Sequence, residues 1–214
     1  MKVFIPIFYF FRSLLLRGFI NTVRLIRAEK ANEIKYGIST SSIKKSSSNE
    51  FFHYQGASYK VLFRIFNKIV AQTKELDFVD IGAGKGRAVF VAESFGYKNL
   101  TGIEMDKNLF SDSIENLKTY ALKNKTSNIL FEDANALDYN YKNKPTVYFL
   151  FNPFNDTVLK KVLNQISSST IKETWFVYMN PKYSKVFTPE KFETVFEIKT
   201  KRYLEAIIYK LKSY

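Results

Sequence analysis

The sequence predicts an α/β protein: a seven-stranded, mostly parallel sheet that ends in an antiparallel hairpin, preceded by a helical extension. Three observations carry this prediction. From Asp77 onward, short apolar runs alternate with helical patterns, which builds a parallel sheet covered on both faces. The last two β-rich runs, 193–200 and 203–211, are separated only by Lys201-Arg202. That gap is too short for a crossover, so the two runs must pair antiparallel. Between the first strand and the helix after it stand three glycines at alternate positions, Gly82, Gly84 and Gly86, where backbone can come close to a ligand.

Each element has its own signal. Residues 3–32 read as helical, as one helix or as two divided at Gly18. The Ser-rich stretch from Ser39 to Asn49 reads as a loop. A helix over 58–72 places Leu62, Ile65, Phe66 and Ile69 on one face. Strand 78–81 and helix 86–95 follow, then strand 100–104 and helix 107–122. Strands 128–132 and 146–151, helix 155–168 and strand 174–179 lead into the hairpin. The division expected is an extension over 1–50 and a folded domain over 51–214.

Composition narrows the chemistry. A hydrophobic content of 46% over 214 residues is enough for a real core. The chain has no cysteine, which excludes disulfides and thiolate metal sites and fits a reducing, cytoplasmic compartment. Its one histidine, His53, argues against a histidine metal site or a Ser–His triad, and no metal is expected.

Charge is uneven. The formal net charge is +13, and residues 1–75 hold 13 Lys and Arg against 4 Asp and Glu, a balance of +9. On a helical wheel, Lys2, Arg12, Arg17, Arg24, Arg27 and Lys30 fall in a sector of about 140°. Most of the other positions are Phe, Ile, Leu, Tyr and Val. Arg12 and Arg17 interrupt the apolar run well short of a membrane span, and no small-residue cleavage site marks a signal peptide. Two readings stay open for residues 1–30: peripheral attachment to the anionic inner face of a membrane, and a helix packed on the core with its basic face in water. The basic bias also allows nucleic acid as a partner, though no base-reading motif supports it.

The chemistry-bearing stretches close the apolar runs. Phe78-Val79-Asp80-Ile81-Gly82-Ala83-Gly84-Lys85-Gly86-Arg87 has glycine at the first, third and fifth positions of the turn, not at the sixth as a dinucleotide fingerprint requires. Glu104, twenty residues after Gly84, closes the next run, where a carboxylate can accept both hydroxyls of a ribose. Ile129-Leu130-Phe131-Glu132-Asp133-Ala134 ends the third, and Asp138 is a further acid nearby. The fourth, Val147 to Phe151, runs into Asn152-Pro153-Phe154. The Asn side chain and the carbonyl before Pro153 are two acceptors able to orient an amine or amide nitrogen.

Together these stretches resemble the class I S-adenosylmethionine-dependent methyltransferases, over about residues 36–211. The resemblance implies a Rossmann-like sheet finished by an antiparallel hairpin, with S-adenosylmethionine as cofactor. It implies cofactor contacts at Asp80, Gly82, Ala83, Gly84 and Gly86, then at Glu104 and Met105. Asp133 and Ala134 fall where the family holds adenine, with Glu132 the alternative acid, and Asn152 completes the set. Asn152, Pro153 and Phe154 resemble the Asn-Pro-Pro-aromatic loop of amino-methyltransferases, with the second proline absent and the aromatic one position earlier. They are the expected catalytic residues, acting on an unidentified acceptor through nitrogen.

Tyr36 to Ser41 and His53 to Tyr59 are similar to the lead-in of a bacterial group with no assigned substrate. This implies that His53, Tyr54 and Tyr59 form a lid or acceptor wall. Lys85 and Arg87 are expected to serve Glu104 or the cofactor carboxylate, or to stay solvated. A noncatalytic cofactor-binding or membrane-attached scaffold is the alternative function. A dinucleotide oxidoreductase is disfavoured by the glycine spacing and the terminal hairpin.

Overall fold

The architecture is that of a computed structural model, which describes residues 14–15, 18–41, 43–44, 54–124, 128–170, 172–200 and 203–212. In chain order the elements are α1 (Phe19–Tyr36), β1 (Ile43–Lys44), β2 (Tyr54–Gln55), α2 (Tyr59–Thr73), β3 (Asp77–Ile81), α3 (Arg87–Ser94) and β4 (Asn99–Glu104). Then come α4 (Lys107–Ala121), β5 (Asn128–Asp133), β6 (Thr146–Phe151), α5 (Asp156–Ser169), β7 (Thr174–Met179), a 3-10 turn (Ser184–Val186), β8 (Phe192–Lys199) and β9 (Leu204–Leu211).

Seven strands form one sheet in the order β5-β4-β3-β6-β7-β9-β8. The first five are parallel, and β9 enters antiparallel between β7 and the edge strand β8. The chain leaves β3 toward β4 and β5, then returns on the other side of β3 as β6. That reversal opens a crevice at the carboxyl ends of β3 and β6.

Apolar residues cover both faces, as a parallel sheet demands. One core joins Leu62, Ile65 and Phe66 of α2 and Val89 and Phe90 of α3 to Phe78 and Phe149. The other packs Leu159, Val162 and Ile166 of α5 on Tyr148, Phe176 and Ile207.

The helix ends follow local chemistry. Asp106 caps α4, its side chain accepting the N–H groups of Asn108 at 2.9 Å and Leu109 at 3.1 Å. Asn155 caps α5 through Val158 N–H at 2.9 Å. The last acid of Glu104-Met105-Asp106 is therefore committed to a helix start.

The amino-terminal region departs from expectation. The helix expected to stop at 32 runs to Tyr36, where Gly37 adopts φ 70° and donates its N–H to Glu33 O. The helix begins after Gly18, which has φ 77°. Within the stretch read as loop, Ile43–Lys44 pairs antiparallel with Tyr54–Gln55. Lys2, Arg12, Arg17 and His53 lie outside the described residues. No described helix is long and apolar enough to cross a membrane.

Candidate active site

The glycine turn is fixed to the neighbouring strand. Gly82 and Ala83 both donate their N–H groups to Ile103 O at 2.9 Å. Gly84 has φ 56°, and a Cβ placed there would lie 2.2 Å from Cε2 of Tyr54. Glycine is thus required twice over at this position, by the left-handed backbone and by the aromatic ring against it. On Gly82 a Cβ would meet Pro153 Cβ at 2.8 Å, so the Asn152-Pro153 turn lies on the glycine turn.

Glu104 closes β4 with 8% of its surface exposed. Oε2 accepts Gly84 N–H at 2.8 Å and Oε1 accepts Asp106 N–H at 2.8 Å. Burial pushes its pKa above the usual carboxylate range, against the pull of those amides. Asp80, 3% exposed at the end of β3, has no hydrogen-bond or ion-pair partner among the described residues. Burial first, and the Glu104 charge second, hold its carboxyl well above the ordinary value. Two desolvated carboxylates with so little positive compensation make a site suited to a cation that also carries hydroxyls.

Across from Glu104 in register stands Asp133, exposed at the end of β5. Glu132 is half-buried and accepts the Tyr139 hydroxyl at 3.3 Å, while Asp133 has no partner among the described residues. Ala134 donates its N–H to Glu104 O at 3.2 Å. Met105, beside Glu104, leaves 44% of a large apolar side chain in solvent, a surface that a planar ring could cover. Asp80, Glu104, Asp133 and Asn152 therefore close four adjacent strands, β3, β4, β5 and β6, on one edge of the sheet.

Asn152 is 6% exposed and sits at φ 43°. Its Oδ1 accepts the Tyr178 hydroxyl at 2.8 Å, so the side-chain acceptor expected to meet substrate already has one donor. Phe154, expected at the reaction site, is 4% exposed and belongs to the α5-side core with Val158 and Leu159. Tyr59, expected in a lid, is fully buried and stacked on Tyr36 at 5.8 Å. Burial pushes its phenol up to about 12. Tyr54 reaches the glycine turn, its hydroxyl donating to Thr40 O at 2.8 Å.

Lys85 and Arg87 serve neither Glu104 nor solvent. Lys85 pairs with Asp112 at 3.0 Å. Arg87, 4% exposed at the first position of α3, reaches back to the amino-terminal segment. It meets Glu29 at 2.5 Å, Thr40 Oγ1 at 2.7 Å, Ala57 O at 2.8 Å, Ser41 Oγ at 2.9 Å and Glu33 at 3.3 Å, with its guanidinium 4.4 Å above the Tyr59 ring. Sequence reasoning missed this clasp. The available signal was Glu29 and Glu33 at i,i+4 on one helix, two acids in an otherwise basic region.

Residues 57–211 match the model of the family described as conserved hypothetical protein 95. The fold is similar to that of the putative methyltransferase yhhF from Escherichia coli, with TM-score 0.62 and 17% identity over 81% of this chain and 100% of that one. The putative methylase HI0767 from Haemophilus influenzae gives TM-score 0.54 and 21% identity over 71% of this chain and 96% of that one. An RNA methyltransferase from Salinibacter ruber, in complex with S-adenosyl-L-homocysteine, gives 0.51 and 14% over 72% and 90%. No curated protein matches the sequence.

Proposed function

We propose that the chain, a member of the conserved hypothetical protein 95 family, is a class I S-adenosylmethionine-dependent methyltransferase and that its acceptor atom is a nitrogen. The observation that carries the cofactor site is Glu104, a buried carboxylate bonded to the glycine turn and flanked by the unpartnered Asp80. S-adenosylmethionine brings hydroxyls for the first and an ammonium for the second, together with an activated methyl on a sulfonium. The remaining contacts we assign to Gly82, Ala83, Gly84, Gly86, Met105, Asp133, Ala134 and Asn152. The residues of this chain align the acceptor with that methyl and keep water out. The nitrogen reading rests on the carbonyl before Pro153, which can accept an N–H at the crevice. An ammonium acceptor must lose its proton before attack.

Residues 1–50 are assigned as an extension of the 51–214 domain, with residues 1–30 as a peripheral contact for an anionic membrane. On the described part of that segment Phe19, Ile20 and Ile26 are exposed beside Arg24, Arg27 and Lys30, while Glu29 turns inward to Arg87. Flotation with anionic vesicles tests it, and binding that is absent at low salt removes the assignment.

The test of the function is transfer of labelled methyl from S-adenosylmethionine into extract of a strain lacking the protein, with the product identified by mass spectrometry. Label on oxygen or carbon overturns the nitrogen assignment. Binding of S-adenosylmethionine without transfer to any component favours the scaffold alternative.

A further inference from the structure

Asn152 and Asn180 are the only non-glycine residues with positive φ among those described, at 43° and 51°. Each directly follows a parallel strand and directly precedes a proline, as Asn152-Pro153 and Asn180-Pro181. The residues before them, Phe151 and Met179, are partners in the β6–β7 register, so the two asparagines stand side by side at the carboxyl edge of the sheet. A residue before proline is normally driven to extended backbone. Two neighbouring departures from that rule mark a constrained site, since such strain persists only where the surroundings enforce it.

Both carboxamides are held in the same way. Tyr178, 1% exposed, donates its hydroxyl to Asn152 Oδ1, and that hydroxyl in turn accepts Tyr183 N–H at 3.3 Å. The incoming amide fixes the phenol as donor, and so fixes which end of Asn152 it meets. Tyr203 likewise bonds Asn180 Oδ1 through its hydroxyl. Neither Nδ2 has a hydrogen-bond partner among the described residues, so each carboxamide keeps a pair of N–H donors to offer. Lys182, two residues past Asn180, adds a positive charge to the segment, its ammonium 5.2 Å above the Tyr183 ring.

We propose that Asn152 and Asn180 form a paired carboxamide cradle that binds a carboxylate of the methyl acceptor, with Tyr178 and Tyr203 as positioning residues that turn the Nδ2 groups toward it. The proposal rests on the methyltransferase reading and adds an acceptor class: a molecule bearing a carboxylate close to the methylated nitrogen. The carbonyl before Pro153 serves the nitrogen and the two Nδ2 groups serve the oxygens. The acceptor is thus read by donors and acceptors of fixed sense.

The test uses the full-length protein saturated with S-adenosyl-L-homocysteine, and binding of that product is measured first by calorimetry. Failure there counts against the methyltransferase reading and not against the cradle. Acetate and methylammonium are then titrated at matched ionic strength, with the side-chain amide resonances of Asn152 and Asn180 followed by NMR. Acetate is expected to shift both sets saturably and methylammonium neither. Asn180→Gly, which tolerates the left-handed backbone, should weaken acetate about tenfold, the effect of one lost hydrogen bond to a charged group. Tyr178→Phe should broaden or move the Asn152 resonances and weaken acetate. Resonances that acetate leaves in place, a response to methylammonium instead, or full acetate affinity in Asn180→Gly overturns the proposal.

Discussion

Arg87→Met is the sharpest probe of how the amino-terminal segment is joined to the glycine turn. The substitution keeps most of the apolar stem and removes the guanidinium. That guanidinium makes five hydrogen bonds, two of them to the carboxylates of Glu29 and Glu33, whose side chains are only 19% and 18% exposed. Exposed ion pairs contribute little, but breaking a buried one leaves an uncompensated charge and costs about 3–5 kcal/mol. The bonds to Thr40, Ser41 and Ala57 share the same cation and do not add in full. The expected loss is therefore about 3–5 kcal/mol, a large part of the roughly 5–15 kcal/mol that holds a domain folded. For a chain of this size it corresponds to a fall in Tm of roughly 6–20 °C.

Urea unfolding followed by circular dichroism measures this loss, and two controls separate charge from packing. In Arg87→Met/Glu29→Gln the closer of the two stranded carboxylates is gone and Glu33 remains, so at least about 1 kcal/mol should return. The second control is pH. Burial already raises the Glu29 pKa despite Arg87, and without Arg87 it rises further. A carboxyl with a raised folded pKa stabilises the protonated protein and loses that contribution as pH climbs, so the deficit of the variant should grow with pH and shrink in acid. A deficit under about 1 kcal/mol, with no recovery in the double variant and no pH dependence, would refute the ion-pair argument.

Three further outcomes follow from the site. Glu104→Ala should weaken S-adenosylmethionine by about 1.5–3 kcal/mol in calorimetry, and an unchanged affinity removes the ribose assignment. Gly84→Ala should cost about 1–2 kcal/mol of stability from the left-handed backbone alone, with more from the Tyr54 ring, as a urea midpoint will report. Asp80→Asn should stabilise the ligand-free protein at neutral pH. Because the folded pKa of Asp80 is raised, wild-type stability carries a term that falls as pH rises from the ordinary value of 3.8 toward the raised one; the difference between variant and wild type should grow across that window and vanish below it.

The strand-end motifs were legible because each rests on a local rule. A glycine turn after an apolar run, an acid closing the next run and an Asn-Pro after the fourth report their positions without knowledge of the rest of the chain. Strand order supplied the convergence; alternation with a final hairpin implied a parallel sheet and an antiparallel end, but not the order of the strands or the place of β9 between β7 and β8. What the sequence hid was pairing over long separations. Arg87 follows the glycine turn directly, a position that by sequence alone points to a ligand at the turn. Its acids lie 58 and 54 residues earlier on a helix whose other face is basic. Phe154 was hidden in another way: the resemblance sets it beside the acceptor, and burial of its ring in the α5-side core is a property of packing that the motif does not carry.

Asn180-Pro181 shows the same limit from another side. As a dipeptide it is an ordinary turn signal. It acquires meaning only through the register that sets Met179 beside Phe151, and through Tyr178, whose hydroxyl spans from one strand end to the next. The β6–β7 edge therefore carries information that neither strand holds alone: two asparagines in one strained conformation, each with its oxygen committed to a tyrosine. The β3–β4 side of the crevice, by contrast, carries two buried carboxylates, Asp80 and Glu104. A crevice acidic at β3 and β4 and donor-rich at β6 and β7 discriminates along its length. In the proposed reaction that polarity would draw the cationic end of S-adenosylmethionine to one side and the oxygens of the acceptor to the other.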